Sequence, residues 1–432
     1  MQLTRRSILL GGGGLAATAT LAACGNNNPL ASPSEDPSST GSAPADGDLP
    51  QLSQWYHEYG EAGVREAVER YAAGFDGATV TVNWVAGDYG SILAAQLLTN
   101  EVPDVFEVEQ GGSLDMIRAG QLADLTDLIE PHRADFNEAV MNRFTFEGKV
   151  HGIPQTIDMQ MLYYRPSLLQ AAGVEPPTTF DQLVAAIDAT KSSDIGGLFA
   201  GNDGNDITLL GTLLIWASGH EQLNEDRTEA AFLTDDFYNA LIAYRELSQS
   251  GGILSAASAE WYSPDAIANG ETVFQWGGLW SLPDIQAALG DDIAALPFPA
   301  IGPSGRPAVP FGAYGACVAA DGSNVEAAKD FVKWLWIDQE EYQVDFSDSY
   351  GTHIPAKDAL VPQASKLADG PGADAARYVA DHGFANDIMW SGALGEAFNA
   401  ALSAVIRDGA DPKATFEPFG EQVIAELKNL NS

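Results

Sequence analysis

Ala78-Thr79-Val80-Thr81-Val82-Asn83-Trp84-Val85 places apolar residues at every second position, the pattern of a half-buried strand. Its flanks read differently. Ala62 to Ala73 sets Val64, Ala67, Val68 and Tyr71 on one face of a helix, and Tyr89 to Leu98 reads as a second helix. Leu52 to Tyr59 on one side and Pro103 to Val108 on the other are further strands. The order strand, helix, strand, helix, strand makes two successive β-α-β units. That order predicts an α/β fold with ligands at the carboxyl ends of the strands. Helices are expected farther on at Phe180 to Thr190, Asp235 to Ser250, Val325 to Trp336 and Leu394 to Arg407, with no repeat of fixed period.

At 432 residues the chain exceeds what one hydrophobic core organises, so at least two lobes are expected. Sixty Asp and Glu against 21 Lys and Arg leave a net charge of −39. Nucleic-acid binding runs on basic residues neutralising phosphates, and anionic membrane surfaces attract the same residues, so both are disfavoured as partners.

The first fifty residues differ from the rest. Thr4-Arg5-Arg6-Ser7-Ile8-Leu9-Leu10 is a basic start, and a short apolar stretch rich in Gly and Ala leads to Leu21-Ala22-Ala23-Cys24. This is the build of an export signal rather than a membrane span. The arginine pair resembles a twin-arginine signal, and Leu-Ala-Ala-Cys resembles a bacterial lipobox with Cys24 as the lipid-modified residue. Residues 1–23 are thus expected to be the signal and 24–50 the anchor and tether. Gly25 to Pro50 has no aromatic and no basic residue, so it cannot bury enough apolar surface to order itself. A coil of that length spans about 30 Å. The reading places the protein outside the cytoplasm, tied to the outer face of the cytoplasmic membrane only through its lipid.

Catalytic and metal-binding patterns are sparse. The six histidines form no H-E-x-x-H, and no G-x-S-x-G elbow or phosphate-binding loop occurs. No enzyme activity, cofactor or metal is expected. Asn202-Asp203-Gly204-Asn205-Asp206 lacks the calcium-loop register and reads as a polar turn. Cys317 lies in an apolar run and reads as a packed small residue.

Aromatic placement is more informative. Sugars combine apolar C–H faces with a rim of hydroxyls, so their sites pair flat rings with Asp, Glu, Asn or Gln. Trp55, His57 and Glu58 close the first strand, and Glu109 and Gln110 close the third. Trp276 and Trp280 flank Gly277-Gly278, Tyr314 lies among glycines, and Trp390 precedes a helix. Trp216 joins the candidates, each against the alternative of core packing. Trp84, Trp334 and Trp336 are assigned to packing.

Several ordered segments resemble the family 1 extracellular solute-binding proteins of ABC importers, most closely the sugar-binding branch. They include Pro103-Asp104-Val105-Phe106, Gly148-Lys149-Val150-His151-Gly152-Ile153-Pro154, Met161-Leu162-Tyr163-Tyr164-Arg165, Gly277-Gly278-Leu279-Trp280 and Ile354-Pro355-Ala356. The resemblance implies a two-lobed periplasmic-binding-protein-like fold, with hinge strands between lobes and a ligand cleft at their interface. It implies a first lobe at 51–157, a second at 158–298, a return to the first at 299–345 and second-lobe helices at 346–432. It also places Trp280 near the cleft and Asp158 where the chain enters the hinge. A sugar ligand, mono- or oligosaccharide, and the transmembrane subunits of an ABC permease are the implied partners, with the protein itself a monomer. A cationic solute such as a polyamine or quaternary amine, held by cation–π contact, is the alternative within the binding class. An anchored glycoside hydrolase is the alternative outside it.

Overall fold

The structure, a computed structural model, describes residues 49–99 and 101–431. The expected signal, Cys24 and nearly all of the tether lie outside the described residues. Among those described, no helix is long and apolar enough to cross a membrane.

The opening strands form as their alternation predicts. β1 (Gln51–His57) lies parallel to β2 (Thr79–Val85) on one side and to β3 (Val105–Glu109) on the other. The helices Val64–Ala73 and Tyr89–Gln96 are their crossovers. Val64, Ala67, Val68 and Tyr71 are buried, the face expected from their spacing. The later helices also appear, at Phe180–Thr190, Asp235–Gln249 and Gly392–Ile406. The helix from Val325 is α-helical only to Lys333; Trp334–Asp338 widens into a π turn that carries the chain into the next helix.

The remaining strands are the short pair β4 (Thr145–Phe146) and β5 (Lys149–Val150), then the long β6 (Ile153–Tyr164). β7 (Gly196–Phe199), β8 (Ile253–Leu254), β9 (Thr272–Gly278) and β10 (Ala294–Leu296) follow. β11 (Val309–Val318), β12 (Ile354–Pro355) and β13 (Gly383–Phe384) complete the set. Except for β4 and β5, they join in one continuous hydrogen-bonded order, β2-β1-β3-β11-β6-β9-β7-β8, with β10 and β12 added to β6 and β13 to β11.

Two strands in this order serve both lobes. β6 begins in one core and ends in another. Ile153 packs with Leu52, Val68, Val105, Val318 and Phe331, whereas Leu162 packs with Leu183, Leu214, Phe274 and Phe398. Between them Ile157, Met159 and Met161 join a third group with Ile285 and Phe311. The return strand β11 runs antiparallel to β6, from Phe311 opposite Met159 to Ala316 opposite Ile153. The fold is therefore two α/β lobes joined by crossing strands. Phe346 and Ala356, from the stretch assigned by resemblance to the second lobe, pack in the core of the first.

Two tryptophans expected at a ligand surface lie in this framework instead. Trp276 is fully buried on β9, where every residue is buried on both faces, and its Nε1–H donates to Gln160 Oε1 at 2.7 Å. Trp216 is 1% exposed, with its ring stacked on Phe384 at 5.2 Å. Neither indole presents a face to solvent, so both are corrected from ligand contacts to packing. Trp276→Ala is expected to cost about 3–5 kcal/mol of stability through the cavity and the unpaired Gln160. Denaturant unfolding of the full chain checks this, and a loss below about 1 kcal/mol would contradict the packing assignment.

Candidate functional site

The parallel pairing of β1 with β3 puts their carboxyl ends side by side, so residues far apart in sequence become neighbours. Glu107, 1% exposed on β3, is the anchor. Its Oε1 accepts the His57 backbone N–H at 2.8 Å and lies 2.5 Å from His57 Nδ1, while its Oε2 accepts Tyr59 Oη–H at 2.8 Å. Burial works to lower the His57 pKa. The hydrogen bond and charge of Glu107, backed by Asp158 and Glu61, outweigh it and raise the value above that of an ordinary histidine.

The antiparallel partner β11 brings Tyr314 opposite Glu109. The Tyr314 ring stacks on His57 at 4.9 Å, inclined by 24°. Glu109 is exposed at the end of β3, while the protein packed around it removes part of its hydration. That loss and the nearby Asp158 raise its pKa, against the lowering influence of Arg143 and His57. Gln110 follows with φ 60°, and its amide lies across Gly312, where a Cβ would sit 1.9 Å from Nε2. A larger residue there would displace the Gln110 amide.

β6 forms the floor. Along it Ile157, Met159 and Met161 are buried, while Asp158 and Gln160 on the other face are half-buried. Asp158 lies opposite Gly312 of β11, and Gln160 lies opposite Gly278 of β9. Trp280 follows directly, its ring folded against Gly278 so that a Cβ there would meet the ring at 2.2 Å. Its Nε1–H donates to the Tyr262 carbonyl at 3.3 Å, and Trp261 meets it edge-on at 6.2 Å. The floor thus runs from first-lobe strand ends carrying His57 and Glu109 to a second-lobe aromatic group.

Beyond Glu109 lies Arg143, whose Nη1–H donates to the Gly112 carbonyl at 3.4 Å. Burial lowers its pKa to about 10, opposed by Asp387 and Glu109, so it stays charged at neutral pH. Asp387 in turn holds Arg227 at 2.9 Å. Arg227 borders a recess of about 610 Å³, also lined by Arg118, Phe146, Asp226, Met389 and Asn431. The recess draws walls from segments on both sides of the crossing strands.

The sequence candidates divide accordingly. His57, Glu109, Gln110, Asp158 and Tyr314 come together, and Trp280 stands beside the same floor. Trp55 is half-buried on β1 and packs beside Leu93 and Phe106. Glu58 is exposed and pairs with Arg65 at 2.9 Å, a solvent-screened contact. Trp390 is half-buried against Phe232, Phe398 and Phe419, away from this group. Arg143, Asp387, His353, Trp261 and Tyr262 are neighbours of this group that the sequence did not single out. The paired aromatics in Glu260-Trp261-Tyr262-Ser263-Pro264 were a usable sign; the isolated Arg, Asp and His were not. Among the described residues, no group of three or more His, Cys, Asp or Glu is arranged to hold a metal. In the Asn202–Asp206 turn, Asp206 accepts Tyr244 Oη–H at 2.7 Å and Asn202 bonds to backbone.

A raised Glu109 pKa makes the folded state bind protons more readily than the unfolded one. Stability then falls as pH rises from the unfolded value, 4.5, through the folded one. Glu109→Gln removes this loss. Urea titrations at intervals from pH 4 to pH 7 should show the variant gaining on the wild-type chain as pH rises; a constant difference would refute it.

Comparison with known proteins accords with this arrangement. The lactose-binding protein of Rhizobium radiobacter is 28% identical over 182 residues, 40% of this chain and 42% of that protein. The multiple sugar-binding protein of Streptococcus mutans is 22% identical over 278 residues, 60% of this chain and 65% of that one. These alignments span less than two thirds of either relative. In structure, the GacH receptor of Streptomyces glaucescens, solved unliganded and with acarbose, superposes with a TM-score of 0.74 at 21% identity, covering 88% of this chain and 99% of that one. Residues 56–336 match the profile of the bacterial extracellular solute-binding proteins, and the chain belongs to that family.

Proposed function

We propose that this protein captures a carbohydrate between its lobes and delivers it to the transmembrane subunits of an ABC permease. The observation that carries the reading is the floor built by β6. It carries Asp158 and Gln160, with Glu109, His57 and the Tyr314 ring gathered by β1, β3 and β11 on one side and Trp280 following β9 on the other, and polar groups beside flat rings are what a sugar's hydroxyl rim and C–H faces require. The names of the relatives, lactose-binding and multiple sugar-binding, support the same ligand class. Because the groups come from both sides of the crossing strands, a ligand touching all of them favours the closed arrangement over the open one, which is the differential affinity that shifts such an equilibrium. The permease then recognises the closed shape.

We place the first lobe at 51–157 with a return from 299 that runs on through about 356, since Phe346 and Ala356 share its core. The second lobe takes 158–298 and the C-terminal helices. His57, Glu109, Gln110, Asp158, Tyr314 and Trp280 are the proposed contacts, joined by Trp261, Arg143 and Asp387. The protein acts as a monomer and turns over no substrate. Its twin-arginine signal exports it, and Cys24 carries the lipid that holds it on the membrane's outer face.

A panel of saccharides, polyamines and quaternary amines tested against the full chain by thermal shift and Trp fluorescence checks the ligand class. A saccharide should raise the melting temperature and be recovered intact. Trp280→Ala and Glu109→Gln should each weaken it at least tenfold, about 1.4 kcal/mol. Stabilisation by an amine alone, or release of product from a glycoside, would overturn the reading. For the anchor, mass spectrometry of the N-terminal peptide should find lipid on Cys24, and Cys24→Ser should shift the protein from membrane to soluble fraction. An unmodified, membrane-bound Cys24 peptide would contradict it.

A further inference from the structure

We infer that His353 is a positioning residue for ligand recognition: it holds Asp158 as a fixed acceptor, so that the bound sugar must donate a hydroxyl there. The inference rests on Asp158 being a ligand contact as proposed above.

Register brings the pair together. β12 joins β6 antiparallel with Ile354 opposite Ile157, so the residue before Ile354 meets the residue after Ile157. His353 Nδ1 lies 2.5 Å from Asp158 Oδ1, and its Nε2 lies 3.6 Å from Glu61 Oε1, in the loop after β1. The His353 side chain is 3% exposed, its ring is stacked on Phe346 at 5.9 Å, and its backbone N–H donates to the Ser347 carbonyl at 3.0 Å. Gly351 backs the group: a Cβ there would lie 2.8 Å from His353 Nε2 and 3.1 Å from Glu61 Oε1, so a larger residue would push on both side chains. His353 is thus too buried to meet a ligand and is clamped from three chain segments, while Asp158 keeps partial exposure on the floor.

The chemistry follows from the two flanking carboxylates. Burial works to lower the His353 pKa, but Asp158 and Glu61 overcome it and push the value up to about 10. The imidazolium therefore donates from Nδ1 to Asp158 throughout the neutral range, while its Nε2 faces the Glu61 carboxylate at 3.6 Å. The other charged groups facing the cluster are Glu109, which feels Asp158, His57, which feels Asp158 and Glu61, and Lys366, whose Nζ–H donates to the Gly351 carbonyl at 2.6 Å beside Asp348. With its Oδ1 engaged by a charged donor, Asp158 can only accept at its second oxygen. A site built to accept from a hydroxyl penalises an analogue that lacks it, because the ligand would cover the acceptor and leave it unpaired.

The test uses the full chain and calorimetric titration with whichever of lactose, raffinose and maltotriose raises its melting temperature. His353→Phe keeps the ring and its stacking on Phe346 but removes both donors. It should weaken binding at least tenfold. His353→Asn, which keeps an N–H near the Nδ1 position, should stay within about threefold of wild type. In an Asp158→Asn background, His353→Phe should change affinity less than twofold. Independently of any sugar, NMR of the His353 ring should show both nitrogens protonated at pH 7 and deprotonation only near pH 10. Wild-type affinity in His353→Phe, additive effects of the two substitutions, or a neutral ring at pH 7 would overturn the inference. Were none of the sugars to bind, the carbohydrate reading would fall, and the ring titration would still decide the His353–Asp158 pairing.

Discussion

The antiparallel pairing of β6 with β11 is the constraint on which the rest of the molecule hangs. Both strands pass between lobes, and each backbone hydrogen bond adds only about 1 kcal/mol. Their register nevertheless dictates which residues can face the cleft. With Gly312 opposite Asp158 and Ala313 opposite Ile157, alternation sends Asp158, Gln160 and Tyr314 to one side and the apolar residues to the other. A one-residue slip would exchange the two sets. The pairing shifts between Tyr314 and Gly315, with Gln155 as the extra residue on β6. Such a bulge bends the strand and re-aims a side chain. Here it lies next to the ring that stacks on His57.

Electrostatics follow from that placement. A chain with 60 acidic residues and 21 basic ones sets several cationic side chains beside acids at the ends of β1, β3 and β6. His57 meets Glu107, His353 meets Asp158 and Glu61, and the half-buried Arg143 feels the charges of Asp387 and Glu109. Removed from water, an unpaired charge is costly, and each of these pairs offsets that cost. The same pairs pre-orient hydrogen-bonding groups before a ligand arrives.

The legible part of the fold was local. Period-two alternation located β2, helical spacing located the Val64–Ala73 face, and both succeed because side-chain direction follows from backbone geometry alone. Strand ends were legible for the same reason, and they led to His57 and Glu109. Trp276 misled because β9 is buried on both faces, so no alternation separates a packed ring from a ligand platform. The glycines beside it are not open space: the Trp280 ring lies against Gly278 and the Tyr163 ring against Gly277. Arg143, His353 and Asp387 carried no local sign, since their partners lie tens to hundreds of residues away.

By itself, the sequence determined the class of fold, the order of its elements, the candidate export and anchor segment and the residue types available at the strand ends. Those follow from interactions among near neighbours in the chain. The tertiary structure alone decided which tryptophans are core, which strands cross between lobes, and that His353 grips Asp158 through the pairing of β12 with β6. Each of these depends on burial and on registers between distant strands. Such relations exist only once the chain has closed on itself.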